Sequence, residues 1–278
     1  MPMIYYNRGN NHAKGKHMLK FSKANAKTEA LKQVEELKPY LEGKRKIYSL
    51  DLLSGYSCPF AEKCLSKATV DKATGKRKIK DGPKTEFRCF SASQEVQYTN
   101  VYNSRKHNYD MLKGASSQLE MNRMLSNALP SDAGIVRIHV AGDFFNRDYM
   151  LSWMTLAECN PNTLFYAYTK SLTYWLELED YYNSNNNFVL TASFGGREDG
   201  LIEKHSLRYA KVVFSEAEAE NLGLEIDHDD SHAARPSMKN QDFALLIHGT
   251  QPKGTDAATA LKALKGVGSY SRKKLTTV

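Results

Sequence analysis

The chain has 278 residues, 41% of them hydrophobic, with four cysteines and a formal net charge of +8. That length allows one large core, and no run of about 18 uncharged apolar residues offers a membrane-spanning helix. Four cysteines are too few for a disulfide scaffold, and the polar, basic start "MPMIYYNRGNNHAKGK" lacks the apolar stretch of a secretory signal; a cytoplasmic setting with reduced thiols is expected. The charge is uneven. Residues 1–100 carry twenty Lys or Arg against ten Asp or Glu, and the rest of the chain is slightly acidic. Such asymmetry points to an anionic partner such as nucleic acid, or simply to a solubilising lysine surface.

Residues 1–23 read as a polar, aperiodic arm. Residues 25–42 carry Ala30, Leu31, Val34, Leu37, Tyr40 and Leu41 at helical spacing, with Gly43 as a C-terminal cap. Six strand-like apolar runs follow: 46–53, 134–141, 163–169, 187–193, 210–215 and 243–249. Helical patterns lie between them, at 91–114, 116–129, 147–160, 171–183, 201–209 and 215–223, and a last one covers 256–266. The lysine-rich stretch 70–87 reads as a hairpin around "ATGKR". Alternating strands and helices imply an α/β fold with a parallel sheet, either open and doubly wound or barrel-like. Neither G-x-G-x-x-G nor G-x-x-x-x-G-K-[ST] is present, which removes the dinucleotide fingerprint and the phosphate loop.

In either architecture the site gathers where the strands end. The first strand end leads to Gly55, Cys58, Cys64 and Cys89, and the second to Gly142 and Asp143. The third carries Thr169, Lys170 and Ser171, and the fourth Ser193, Gly195, Gly196 and Arg197. The fifth leads to "DHDDSH", Asp227 to His232, and the sixth to His248, Gly249 and Lys253. Three convergent thiolates in a reducing cell point to a metal. Zinc would take a fourth ligand such as His107 or a residue of "DHDDSH"; an iron–sulfur cluster can use three cysteines and leave one iron open. The spacing C-x5-C-x24-C matches no standard zinc finger or ferredoxin. Cys159, at the end of an amphipathic helix, reads as a core thiol. The "DHDDSH" run reads equally as a divalent-ion or ligand site and as an acidic, helix-capping loop.

A six-stranded βα chain with cysteines just after strand one resembles the radical S-adenosylmethionine (SAM) superfamily. The resemblance implies a partial (βα)6 TIM-type barrel with a basic N-terminal extension and a long cysteine-bearing insertion after strand one. It divides the chain into an arm and helix (1–45), a barrel-like domain (46–270, insertion 54–90) and a basic tail (271–278). It implies a 4Fe–4S cluster on Cys58, Cys64 and Cys89, with SAM on the open iron. Gly142 and Asp143 of "VAGDFF" would meet the methionine amine. Lys170, Ser171, Ser193, Arg197 and Asp229 would touch the ribose, carboxylate and adenine, and Lys170 or Arg197 would grip the carboxylate. Phe144, Phe145 and Phe194 would shield a 5′-deoxyadenosyl radical. The superfamily's C-x3-C-x2-C is absent. A narrower set of phage and mobile-element proteins shares "CP…C…C", "GDFF" and "YT(K/R)S" and is similar from about residue 46 to 270; it brings no reaction with it, and implies the host-cell cytoplasm. A nucleic acid or nucleotide is the expected substrate. Two other readings stand beside this one. The first is a zinc- or cluster-stabilised nucleic-acid-binding protein without turnover, with Tyr5, Tyr6 or Tyr102 stacking on bases. The second is a metal-dependent hydrolase built on the "DHDDSH" carboxylates.

Overall fold

The computed structural model describes residues 18–265. Tyr5, Tyr6 and the tail 271–278 lie outside the described residues. Ten strands form among the described residues, in chain order: β1 (Phe21–Lys23), β2 (Lys46–Leu50), β3 (Ser66–Val70), β4 (Arg77–Asp81), β5 (Ala133–Ile138), β6 (Leu164–Thr169), β7 (Phe188–Ser193), β8 (Tyr209–Val213), β9 (Glu225–Ile226) and β10 (Phe243–Leu246). Eight of them make one sheet in the order β1-β2-β5-β6-β7-β8-β10-β9, while β3 and β4 stand apart as a hairpin. The six strands anticipated from apolar runs are all present, run parallel and follow one another across the sheet in chain order. Among these six the order does not reverse, and only the two-residue edge strand β9 doubles back beside β10, so the sheet lacks the central reversal of a doubly wound fold. Nor does it close: β1 and β9 form its free edges, and the fold shown is an open, mostly parallel α/β sheet.

β1 was not legible in a polar arm. It pairs antiparallel with β2, Phe21 opposite Leu50, and so belongs to the sheet rather than to a loose extension. Several expected helices are interrupted. The 25–42 segment becomes short α and 3-10 turns between Ala26 and Leu41, and the 91–114 segment breaks at Tyr98. In both cases helical spacing marks the buried side of the segment without requiring an unbroken helix.

Strand alternation sorts the parallel sheet's side chains into two cores. One face sets Leu50, Val136, Ile138, Phe165, Ala167, Phe188 and Leu190 against helices Gln118–Ala128 and Arg147–Glu158, around fully buried Trp153. The opposite face sets Ile47, Ile135, Leu164, Tyr166, Val189 and Phe243 against Leu31, Leu37, Ala233 and Ala234. The N-terminal turns and the short helix Ser231–Ala234 therefore cover this second face. Asn146, Ser117 and Thr255 cap their helices through side-chain oxygens, as the polar residues before each apolar pattern require.

Candidate functional site

Beyond β2 the chain turns at Gly55, whose φ of +70° permits the reversal, and Gly55 N–H points at Cys58 Sγ from 3.4 Å. The turn is held from below by Glu95, fully buried on the helix Phe90–Gln97. One carboxylate oxygen of Glu95 accepts from Ser54 N–H (3.0 Å), Ser54 Oγ (2.8 Å) and Arg105 (3.2 Å). Residues 60–63 are then stitched to the loop after β7. Arg197 N–H donates to Phe60 C=O (2.9 Å) and Lys63 N–H to Gly195 C=O (3.0 Å). Cys89 arrives from the far side of the hairpin. Its N–H donates to Ser66 Oγ (3.3 Å), while Gln251, beyond β10, clamps the backbone of Arg88 in both directions (2.7 and 3.1 Å). Ser66 and Gln251 are positioning residues that no local motif announced.

The three thiols are half-buried and free. Burial pushes the Cys58 thiol well up, and the charges of Asp143, Cys89 and Cys64 push it further. Burial also raises Cys64, to about 11, against the pull of the Lys170 ammonium. The strand ends of β2, β5 and β6 thus place Cys58, Cys64, Cys89, Asp143 and Lys170 within reach of one another's charge. Among the described residues no three His, Cys, Asp or Glu side chains converge closely enough to hold a single metal ion. The chemistry of the donor set, three soft sulfurs beside one ammonium, fits a thiolate-bound group.

Asp143 is buried, and burial lifts its carboxyl to about 6 despite three donors: Phe144 N–H (2.7 Å), Thr169 Oγ (2.7 Å) and Lys170 N–H (2.8 Å). It locks the end of β5 to the end of β6. Lys170 Nζ donates to Ser193 C=O (2.7 Å), Ser193 Oγ (2.7 Å) and Phe194 C=O (2.9 Å). An ammonium has three protons, so Lys170 has none left to grip a ligand carboxylate; it contributes charge instead. Ser171 Oγ donates to Phe144 C=O (2.7 Å). A Cβ on Gly142 would lie 2.7 Å from Ser57 Oγ, which places this glycine directly under the Cys58 turn.

Other expected site residues stand elsewhere. Arg197 is exposed, and its charge only adds to the Lys84 hydrogen bond that holds the Glu62 carboxyl below its ordinary value. Phe144 and Phe145 pack into the core around Tyr149, Phe145 stacking on it at 4.7 Å, and do not line the rim. His107 contacts Met18 C=O at 2.9 Å. Cys159 is exposed at its helix end, so it is not a core thiol. Asp229 accepts from Ser231 N–H (3.0 Å) inside its own turn. Its neighbours face the second core. Asp230 pairs with Arg137, Lys27 (2.8 Å) and Tyr166 (3.1 Å), and Asp227 with Tyr168 (3.4 Å) and His232 (3.6 Å). The "DHDDSH" acids thus anchor a loop to the sheet.

A cavity of about 240 Å³ is walled by Phe87, Phe194 and Phe214, with Lys63, Lys211, Glu86 and Glu218 also in its lining; none of the three cysteines lines it. Among the described residues no helix is long and apolar enough to cross a membrane. No curated protein and no solved structure matches the chain. The family described as gene product 88 matches it over residues 18–266, all but the two ends, and the chain therefore belongs to the gene product 88 family.

Proposed function

We propose that this chain is a phage-type iron–sulfur protein of the radical SAM kind, built on a partial (βα)6 barrel. In this reading Cys58, Cys64 and Cys89 hold a 4Fe–4S cluster and SAM occupies the remaining iron. The observation that carries it is the gathering at one rim, within reach of one another's charge, of Cys58 and Cys64 from the β2–β3 loop and Cys89 from beyond the hairpin, with Asp143 and Lys170. A cluster takes one sulfur per iron, so it does not need the thiols to meet at a point. When bound, such a cluster supplies, from an external one-electron reductant, the electron that cleaves the sulfonium's carbon–sulfur bond.

The chain's own residues would do the rest. Lys170, tied to Ser193 and Phe194, places a fixed positive charge beside Cys64 and favours its thiolate. Gly55 N–H donates to Cys58. Asp143 keeps the rim rigid and retains acceptor capacity for one further donor, such as the amine of SAM. The cavity walled by Phe87, Phe194 and Phe214 would take the flat adenine. A role for Asp229 or Arg197 in cofactor binding finds no support in their placement.

The test is anaerobic purification followed by iron, sulfide and zinc analysis with a visible spectrum. About four irons and four sulfides per chain are expected, absent from a Cys58→Ala/Cys64→Ala/Cys89→Ala variant. Dithionite and SAM should then yield 5′-deoxyadenosine. Zinc alone, or no metal, sinks this reading. Zinc alone leaves a zinc-stabilised binding protein.

A further inference from the structure

The β3–β4 hairpin interrupts the segment that bears the cysteines. It starts two residues after Cys64 and ends eight before Cys89. Its register puts Lys67 opposite Lys80 and Thr69 opposite Lys78. Strand alternation therefore sends Lys67, Lys78 and Lys80 to one face. The other face, with Ala68, Ile79 and Arg77, packs on the helix Phe90–Gln97, where Arg77 Nε donates to Glu95 C=O (2.8 Å). The turn adds Lys72 and Lys76, both exposed. Over residues 66–81 six basic residues face two acids, and both acids are engaged. Asp71 accepts from Ala73 and Thr74 N–H within the turn, and Asp81 pairs with Arg88. None of Lys67, Lys72, Lys76, Lys78 and Lys80 takes part in an ion pair among the described residues.

Like charges directly opposite across a strand pair are unfavourable, and a partner carrying regularly spaced negative charge would offset them. The face is also not purely cationic. Tyr56 is 40% exposed with Lys67 Nζ over its ring at 5.0 Å. Lysines interleaved with open aromatic rings are the means by which proteins hold single strands: charge for the phosphates, rings for unstacked bases. A duplex keeps its bases stacked and offers the ring nothing to stack on.

We infer that the lysine face of the β3–β4 hairpin, with Tyr56, is a docking surface for single-stranded nucleic acid beside the cysteine rim. The inference extends the functional reading above but does not depend on a metal.

The test is fluorescence anisotropy of the full chain with a labelled 20-nucleotide single strand, across a salt series. Lys78→Ala/Lys80→Ala should flatten the slope of log affinity against log salt by about 1.4, at ~0.7 per lost phosphate contact. Tyr56→Ala should weaken binding about tenfold with the slope unchanged. A control, Lys204→Ala/Lys262→Ala, lies outside the hairpin and should match the wild type; thermal unfolding checks that every variant folds. Absence of binding, an equal effect of the control pair, or stronger binding to a duplex or to phosphatidylglycerol vesicles would overturn the inference. Iron is measured on the same preparations. Iron-free protein whose binding still depends on Lys78 and Lys80 refutes the cluster and supports the docking surface. Iron-loaded protein that ignores the oligonucleotide does the reverse.

Discussion

At the scale of single residues, the rim depends on close approach rather than on many contacts. Gly142 has a φ of +99°, and a Cβ there would lie 2.7 Å from Ser57 Oγ and 2.8 Å from Leu52 Cβ. Gly142→Ala combines overpacking with a backbone conformation that L-residues resist. It should cost about 2–4 kcal/mol in urea unfolding. Because the displaced atoms belong to the turn that carries Cys58, the variant should also hold less of any metal if the proposed cluster is bound there. Unchanged stability would mean that the turn moves freely and the glycine is incidental. Lys170 makes a second point at this scale. Its sequence position suggested a ligand grip, but three carbonyl and hydroxyl acceptors take its protons and leave only its charge for function.

Elements are joined by buried charge as well as by apolar packing. Asp230 sits in the second core between Arg137 on β5, Tyr166 on β6 and Lys27 on the first helical turn. Against the upward push of burial, Arg137 and Lys27 hold its carboxyl below the usual range. Removing one member of such a set leaves buried cations facing a lost partner. Asp230→Ala should therefore cost about 3–5 kcal/mol. The loss should appear in hydrogen exchange as deprotection of residues 26–41 before the helices over Trp153. Uniform deprotection would mean that the loop from Asp227 to Ala234 does not pin the N-terminal segment.

For the whole molecule, buried histidines link stability to pH. Burial, then Arg137, lowers His139 to about 3; burial, then Lys27 and Arg137, lowers His248 to about 4. In the unfolded chain such groups titrate near 6.5. Below that pH the unfolded state takes protons that the folded state refuses. Their contribution is complete above about 6.5 and is lost as pH falls toward the folded values. Asp143, raised to about 6 by burial, acts with the opposite sign between its ordinary value and 6, and His232, raised by Asp227 and Glu225, also opposes. A mutant difference isolates one group. His139 has a φ of +66°, which asparagine tolerates, so His139→Asn is the suitable probe. Whatever it costs at pH 7, that cost should shrink by about 2 kcal/mol at pH 5. A pH-independent difference in denaturant unfolding would show that His139 charges in place.

The amino-acid pattern by itself determined the six parallel strands, the lysine-rich hairpin and the place of the cysteines. Short apolar runs between turn residues encode strands locally, and strand ends locate a rim whatever the sheet does next. It also determined which residue types stand at that rim. Only the tertiary structure decided that the sheet stays open and that three residues of a polar arm form its edge strand β1. It alone buried Phe144 and Phe145, exposed Cys159, and bound the "DHDDSH" acids to the sheet. It also brought Ser66 to Cys89 and Gln251 to Arg88, across 23 and 163 residues of chain. Each of these depends on which distant group fills a hydrogen bond or excludes water, and a local pattern does not carry that information.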